Sequence, residues 1–374
     1  MVRNLKEGTG LGIRTSHCDR ITFMESIYLN DADGRKPKKL TDKNIDDSID
    51  TLTSTLKQRA ISLWSDNIND IHIDQNISTH IAYVIDLVSK KHKSISVYVD
   101  SHEVFWIKDN IQYGKLSLDD MSYPNYAPRH QYISEPHKVT IFDPEKELEI
   151  IDDGSVPIVI HTHASRLTGQ IFPLESIFKK IKEKNPNAVC IADGAQMIGG
   201  KKIYTLEYTD AYIVPTSKFV GAELHIGLCL LSNQFEALYL GDEITYPSVD
   251  IGIYKKELYS TNESLSSFAG TDFESHIQEM RAYGRGRFSE AGLSEYVYDI
   301  KDQAPHIMTL SVGDKTITES FVESLESRYG ISVSHNMSFS LVEPKVPLVR
   351  ISISVRCTKE YVDALVSACE VLLK

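Results

Sequence analysis

The stretch DAYIVPTSKFVGAELHIGLCLLS, residues 210–232, sets one lysine, Lys218, between two apolar runs that both read as buried strands. Taken alone, a lysine at a strand end lays its stem along the core and sends its ammonium to water. What the rest of the chain brings to this position decides between that reading and a chemical role. Upstream, VPIVIHTHA (156–164) reads as a strand, LESIFKKIKEKN (174–185) as an amphipathic helix and AVCIADGAQ (188–196) as another strand; AYIVPTSK (211–218) and HIGLCLLS (225–232) complete the series. Earlier still, INDIHI (68–73) and SISVYVD (94–100) are strand-like on either side of a helix, NISTHIAYVIDLVSKK (76–91). Apolar strands alternating with helices predict an α/β fold with a mainly parallel sheet covered on both faces.

A length of 374 residues exceeds one ordinary core and suggests roughly two domains. We expect an N-terminal arm over 1–25, a segment over 26–60 that packs with the small domain, a large domain over 61–255 and a smaller α+β domain over 256–374. Residues 43–64 read as a helix, and SLSSFAGTDFESHIQEMRAY opens another helical region. GRGR at 284–287 reads as a basic, solvated loop, and KKHK at 90–93 as a charge run at a helix C-terminus.

A formal charge of −12 argues against a protein that grips phosphate backbones, so no nucleic-acid partner is expected. The five cysteines are far apart, with no C-x-x-C pair and no zinc-like spacing, which fits a reducing compartment. The N-terminus has no apolar signal core, and no apolar run approaches the roughly 18 residues of a membrane span. The expectation is a cytoplasmic protein without a membrane segment.

In open α/β sheets, ligands gather outside the carboxyl ends of the strands. The polar residues there are Asp193 after AVCIA, His163 after VPIVIHT, Lys218 after AYIVPTS and His102 after SISVYVDS, while Ser78 and Thr79 open a helix after INDIHID. A lysine, an acid, an aromatic base and a helix N-terminus are what a phosphorylated aldehyde cofactor requires. The amine forms a Schiff base, the acid pairs with a pyridinium nitrogen, and the phosphate rests on the helix N-terminus.

HTHASRLTGQIFPLESI, CIADGAQMIGG and DAYIVPTSKFVGAELHIG resemble, in order and spacing, the core of the class V aminotransferase family. This superfamily of fold type I enzymes dependent on pyridoxal 5'-phosphate (PLP) includes the cysteine desulfurases and kynureninase. SIYLNDADGRKP, NISTHI, DSHEVFWI, SFAGTDFESHIQ and PLVRISISVRCTKEYVDAL extend the resemblance over residues 26–374. It implies a PLP-binding large domain in which Lys218 holds the cofactor and shuttles the α-proton, and Asp193 keeps the ring nitrogen protonated. It further implies that Gln196 bonds the ring's phenolic oxygen beside the small Ala195, and that His102 covers the opposite ring face. Ser78, Thr79, Thr216 and Ser217 would serve the phosphate, and Thr271 would reach the phosphate of a neighbouring subunit, which makes a homodimer the expected state. Arg350 would take the substrate carboxylate by a bidentate pair. Arg166 stands where the family has Asn; it reads either as a cation near the phenolic oxygen or the substrate carboxylate, or as a surface turn residue.

The desulfurases carry a nucleophilic cysteine before the carboxylate arginine, but no cysteine lies between Cys229 and Cys357, so simple desulfuration is not expected. The leading expectation is an aminotransferase acting on an α-amino acid. The alternative within the family is a β-lyase, of C–S lyase or kynureninase-like type, or an epimerase. Two other classes have some support in the sequence. A metal-dependent hydrolase is suggested by His161, His163 and Asp193, but ASRLTG supplies no further ligands, and no metal is expected. A non-catalytic relative is suggested by Arg166 and the glycine-poor turns.

Overall fold

The computed structural model describes residues 27–28, 47–61, 63, 71–74, 77–100, 138–143, 148–150, 152–203, 207–218, 226–240, 251–266, 268, 271–335 and 346–374. Its strands are β1 (Ile27–Tyr28), β2 (His72–Asp74), β3 (Ile95–Asp100), β4 (Lys138–Phe142), β5 (Val156–Thr162), β6 (Val189–Asp193), β7 (Ala211–Pro215) and β8 (Gly227–Leu231), followed by β9 (Val297–Tyr298), β10 (Ile307–Leu310), β11 (Ile331–Ser332), β12 (Ser334–His335) and β13 (Val349–Ser352). Seven of them form one sheet in the order β2-β8-β7-β6-β5-β3-β4. Strands β7, β6, β5, β3 and β4 pair in parallel. Strand β8 is antiparallel to both β7 and β2, so β2 runs the same way as the parallel set.

Side chains along these strands alternate between two apolar layers, as the two-residue period of a strand requires. Ile158, Ile160, Ile191 and Ile213 join Ile81, Val84, Ile85 and Val88 of helix α2 (Ile77–Lys91) on one face. Val159, Cys190, Ala192 and Tyr212 face the other way, toward Leu174, Phe178 and Ile181 of helix α3 (Leu174–Lys184). Those three sit at i, i+4 and i+7, the spacing that lays one helical stripe on a sheet. Strands buried on both faces show no polar alternation, which is why they read as continuous apolar runs.

A second sheet, ordered β12-β13-β10-β9, is antiparallel throughout. Strand β1 pairs in parallel with β11, tying the N-terminal segment to the C-terminal part. Helix α1 (Ile49–Ile61) packs on α4 (Ile251–Leu265), where Arg59 donates to Asn262 O at 2.5 Å and the Asn262 amide donates to Leu52 O at 2.8 Å.

GRGR does not form a solvated loop: it lies inside helix α5 (Phe273–Glu290). Phe273, Ile277, Met280, Gly284 and Phe288 keep a buried stripe through both glycines. Arg287 is held by Asp363 at 2.7 Å and Glu290 at 2.5 Å. Tertiary packing here overrides the helix-breaking tendency of glycine. Helix α6 (Lys315–Tyr329) is capped by Asp314 and ends on Gly330 in the left-handed conformation; α7 (Lys359–Leu373) is capped by Thr358.

Phe178 is fully buried between α3 and β5. Phe178→Ala is expected to lower unfolding free energy by about 3–5 kcal/mol in urea denaturation, through lost transfer energy and a residual cavity.

Candidate active site

Backbone register brings the strand-end residues together. Asp193, the last residue of β6, pairs with Ile213 of β7, and Lys218 follows the end of β7 by three residues. Both therefore leave the same edge of adjacent strands, which lie about 4.8 Å apart. Pro215 is opposite Gly227, and Gly227 is opposite Asp74, so the first turn of α2 rises from that edge too, one strand beyond β8. Ser78 and Thr79 stand in that turn, whose leading N–H groups have no helical acceptor. His102 lies outside the described residues.

Asp193 is 4% exposed, and its Oδ1 accepts the Ala195 N–H at 2.6 Å. A neighbour that sequence reading missed stands beside it: the Tyr212 ring fills the space where a Cβ on residue 194 would sit, so only Gly194 fits. Burial and the Asp193 charge hold the Tyr212 phenol well above its usual pKa. Its hydroxyl shares a hydrogen bond with His163 Nδ1 at 2.6 Å, with the two rings edge to face at 5.6 Å. Burial first, then His161 and Lys201, lower the His163 pKa to about 4, so this imidazole is neutral at pH 7.

Gln196 is 2% exposed. Its backbone carbonyl accepts from His306 Nε2 at 2.7 Å, across to the segment that leads into β10. The His306 ring occupies the place of a Cβ on Gly200. Burial lowers its pKa to about 4, assisted by Arg281 and Arg350 against the opposing bond to Gln196.

Arg350, buried on β13, donates from Nη1 to the carbonyl oxygen of Arg166 at 2.6 Å. The two arginines therefore meet, through the backbone of one of them. The turn holding Arg166 is fixed on both sides. Ser165 Oγ accepts from Leu167 and Thr168, Gln303 donates to Thr168 O at 2.7 Å, and Ala304 N donates to Gly169 O at 2.7 Å. Gly169 has a φ of +76°, which a residue with a Cβ rarely adopts.

Thr216 and Ser217 are buried and Lys218 is half-buried. The Thr216 hydroxyl donates to Ile226 O at 3.1 Å, closing the β7–β8 connection. Thr271 is exposed just before α5, and its hydroxyl donates to Phe268 O. His161 turns away from this cluster, toward Asp100 at 3.2 Å. Among the described residues no group of three His, Cys, Asp or Glu side chains is placed to hold a metal ion. The donor set fits PLP: a buried carboxylate, an amine one strand away, a small Ala195 between them and Gln196, and a helix N-terminus at the same edge.

The family model for aminotransferase class-V matches residues 135–245, which include Asp193, Gln196 and Lys218. No curated protein matches by sequence. Among solved structures, a NifS-like protein superposes with a TM-score of 0.64 at 13% identity, covering 93% of this chain and 99% of its own. An alanine–glyoxylate aminotransferase from Nostoc sp. gives 0.64 at 14% identity, covering 96% and 98%. A pyridoxamine–pyruvate aminotransferase from Mesorhizobium loti gives 0.64 at 14%, covering 92% and 91%. The fold is fold type I of PLP-dependent enzymes, and the family match supports a PLP-dependent enzyme.

His80, also buried, has its pKa lowered from 6.5 to about 4, as do His163 and His306. In the unfolded chain each takes up a proton near 6.5. The unfolded state thus binds more protons between these values, so stability is complete above pH 6.5 and is lost as pH falls toward 4. The loss is on the order of 3 kcal/mol per histidine. Urea midpoints should drop steeply from pH 7 to 4.5, and His163→Gln should remove part of that slope.

Proposed function

We propose that the protein is a PLP-dependent enzyme that acts on an α-amino acid through Lys218, with transamination as its reaction. The observation that carries this reading is the placement of a buried carboxylate, Asp193, and a half-buried amine, Lys218, at one edge of adjacent parallel strands. Of the neighbours with the same fold, two are aminotransferases named for glyoxylate, and a third is named for pyruvate.

When bound, PLP supplies an aldehyde that captures an amine and a cationic ring that accepts the electrons left as a bond to Cα breaks. The Lys218 amine would hold the aldehyde between turnovers and then move a proton at the substrate Cα. The Asp193 carboxylate keeps a proton on the ring nitrogen. N–H groups of the first turn of α2, with Ser78 and Thr79, hold the phosphate, joined by Ser217 and Thr216. By the family resemblance His102, outside the described residues, would cover one ring face, and the Gln196 side chain would hold the phenolic oxygen. The Arg350 guanidinium takes the substrate carboxylate, and Arg166, bound to it through its carbonyl, borders the same space.

The four described cysteines are all buried, and burial raises the thiol pKa of Cys190 and Cys369. None of them offers a thiolate acceptor for sulfur, so desulfuration is not part of the proposal. Buried thiols outside any disulfide among the described residues also suit a reducing, cytoplasmic location. The exposed position of Thr271 suits a phosphate contact made to a second copy, and a homodimer belongs to the same reading.

Borohydride treatment of PLP-loaded protein should fix the cofactor on the peptide containing Lys218, and Lys218→Ala should lower turnover at least about a hundredfold. With a panel of amino acids, keto acid released without ammonia supports transfer. Keto acid released together with ammonia would replace transamination by elimination. Protein that takes up no PLP would sink the proposal.

A further inference from the structure

On the face of the main sheet that carries α3, a cavity of about 950 Å3 that Lys218 does not line runs along that helix. Leu148, Glu149, Ile150 and Asp152, from the connection between β4 and β5, border it. Parallel crossovers are usually covered by a helix; the described residues of this one, 143, 148–150 and 152–155, are not helical. One stripe of α3, with Ile177, Lys180, Ile181 and Lys184, is thereby left as a cavity wall.

The inner end of the cavity contains His161, a side chain 1% exposed that the proposed reaction does not use. Its Nδ1 is turned into the protein, 2.8 Å from Thr162 O and 3.2 Å from Asp100 Oδ2. Both of those oxygens accept hydrogen bonds, so Nδ1 carries a proton, which in the neutral imidazole leaves the lone pair on Nε2. No hydrogen bond among the described residues reaches Nε2, the ring edge opposite the anchored one. Phe142 and Phe172 flank the ring, with centroids at 5.4 and 5.2 Å. Beyond them, Ile177 and Ile181 continue the apolar wall. At the rim, Lys180 and Lys184 stand on the helix, with Glu149 and Asp152 on the crossover.

From this geometry we infer a second small-molecule site, selective for a hydroxyaryl carboxylate. The phenolic O–H donates to His161 Nε2, the aromatic body lies along the apolar wall of Phe172, Ile177 and Ile181, and the carboxylate reaches the lysines of α3. A buried acceptor among aromatic walls selects an O–H donor on an aromatic ring. Glu149 and Asp152 confine the anion to the helix side. The volume is at the upper end for small-molecule pockets, so ring systems larger than one also fit.

The test uses 3-(4-hydroxyphenyl)propionate as probe, titrated by calorimetry into the full-length, PLP-loaded protein. The probe is expected to bind, and 3-phenylpropionate, which lacks the hydroxyl, to bind about three- to tenfold more weakly, the usual effect of one hydrogen bond. 4-Hydroxyphenethyl alcohol, which lacks the carboxylate, should lose a similar factor. Ile177→Trp, which fills the cavity without touching His161, should abolish binding, and Lys180→Ala, at the rim, should weaken it. The site is overturned if no probe binds at millimolar concentration, if 3-phenylpropionate binds as well as the probe, or if Ile177→Trp leaves binding intact. Binding lost in Arg350→Ala but kept in Ile177→Trp would put the probe at the PLP site and equally overturn it. Because the readout is binding and not turnover, this result is separable from that of the proposed reaction.

Discussion

The pairing of β6 with β7 holds the candidate site together, because a carboxylate and an amine at the ends of two strands meet only if the register between those strands is fixed. A one-residue slip would turn Asp193 to the opposite face. The far end of the same pair shows what prevents it. Asp210, just before β7, accepts the Cys190 N–H at 2.7 Å, donates its own N–H to Cys190 O at 2.9 Å, and takes Lys182 of α3 at 2.7 Å. Burial raises the Asp210 carboxyl pKa while Lys182 opposes the rise. A buried ion pair of this kind adds little net stability but specifies geometry, here the register that sets Asp193 beside the start of the Lys218 segment.

The second half of the site comes from elsewhere in the chain and arrives through backbone acceptors. Arg350 reaches Arg166 O, His306 reaches Gln196 O, and Gln303 reaches Thr168 O. These three donors belong to β13 and to the segment that leads into β10, whereas all three carbonyls belong to turns at the carboxyl ends of β5 and β6. The antiparallel sheet thus holds the loops by their main chains, and the identity of the side chains in those loops is free to vary. That accounts for how an arginine can stand at position 166 where the related family has asparagine.

The main sheet was legible because its strands are short apolar runs ending in single polar residues, and the helices between them show a 3.6-residue stripe. Lys218, Asp193 and Gln196 were found for the same reason: position at a strand end is a one-dimensional property. Tyr212 and His306 were not found, since a tyrosine inside AYIVP and a histidine in QAPHIM carry no local signal. Their importance comes from Gly194 and Gly200, whose missing side chains make room for the two rings across long sequence separations. GRGR was misread because two glycines and two arginines look like a turn, and only the packing of Met280, Gly284 and Phe288 under α7 and β10 keeps the helix running. Strand β4 went unnoticed since KVTIF is short and lies at the edge of the sheet.

The polar groups around Asp193 share one electrostatic property. Tyr212 stays protonated because its pKa lies well above 10, and His163 and His306 stay neutral because theirs fall to about 4. An ordinary histidine would change charge between about pH 5 and 8 and alter the field on a nearby carboxylate. Burial removes that variation here, so across the neutral range these three contribute fixed dipoles and no change of charge. The role proposed for Asp193, keeping a proton on a ring nitrogen, needs such constancy, since any cation appearing beside it would compete for its charge. The same burial makes the fold sensitive to acid, so a constant field at the site and a loss of stability below pH 6.5 have a single physical origin.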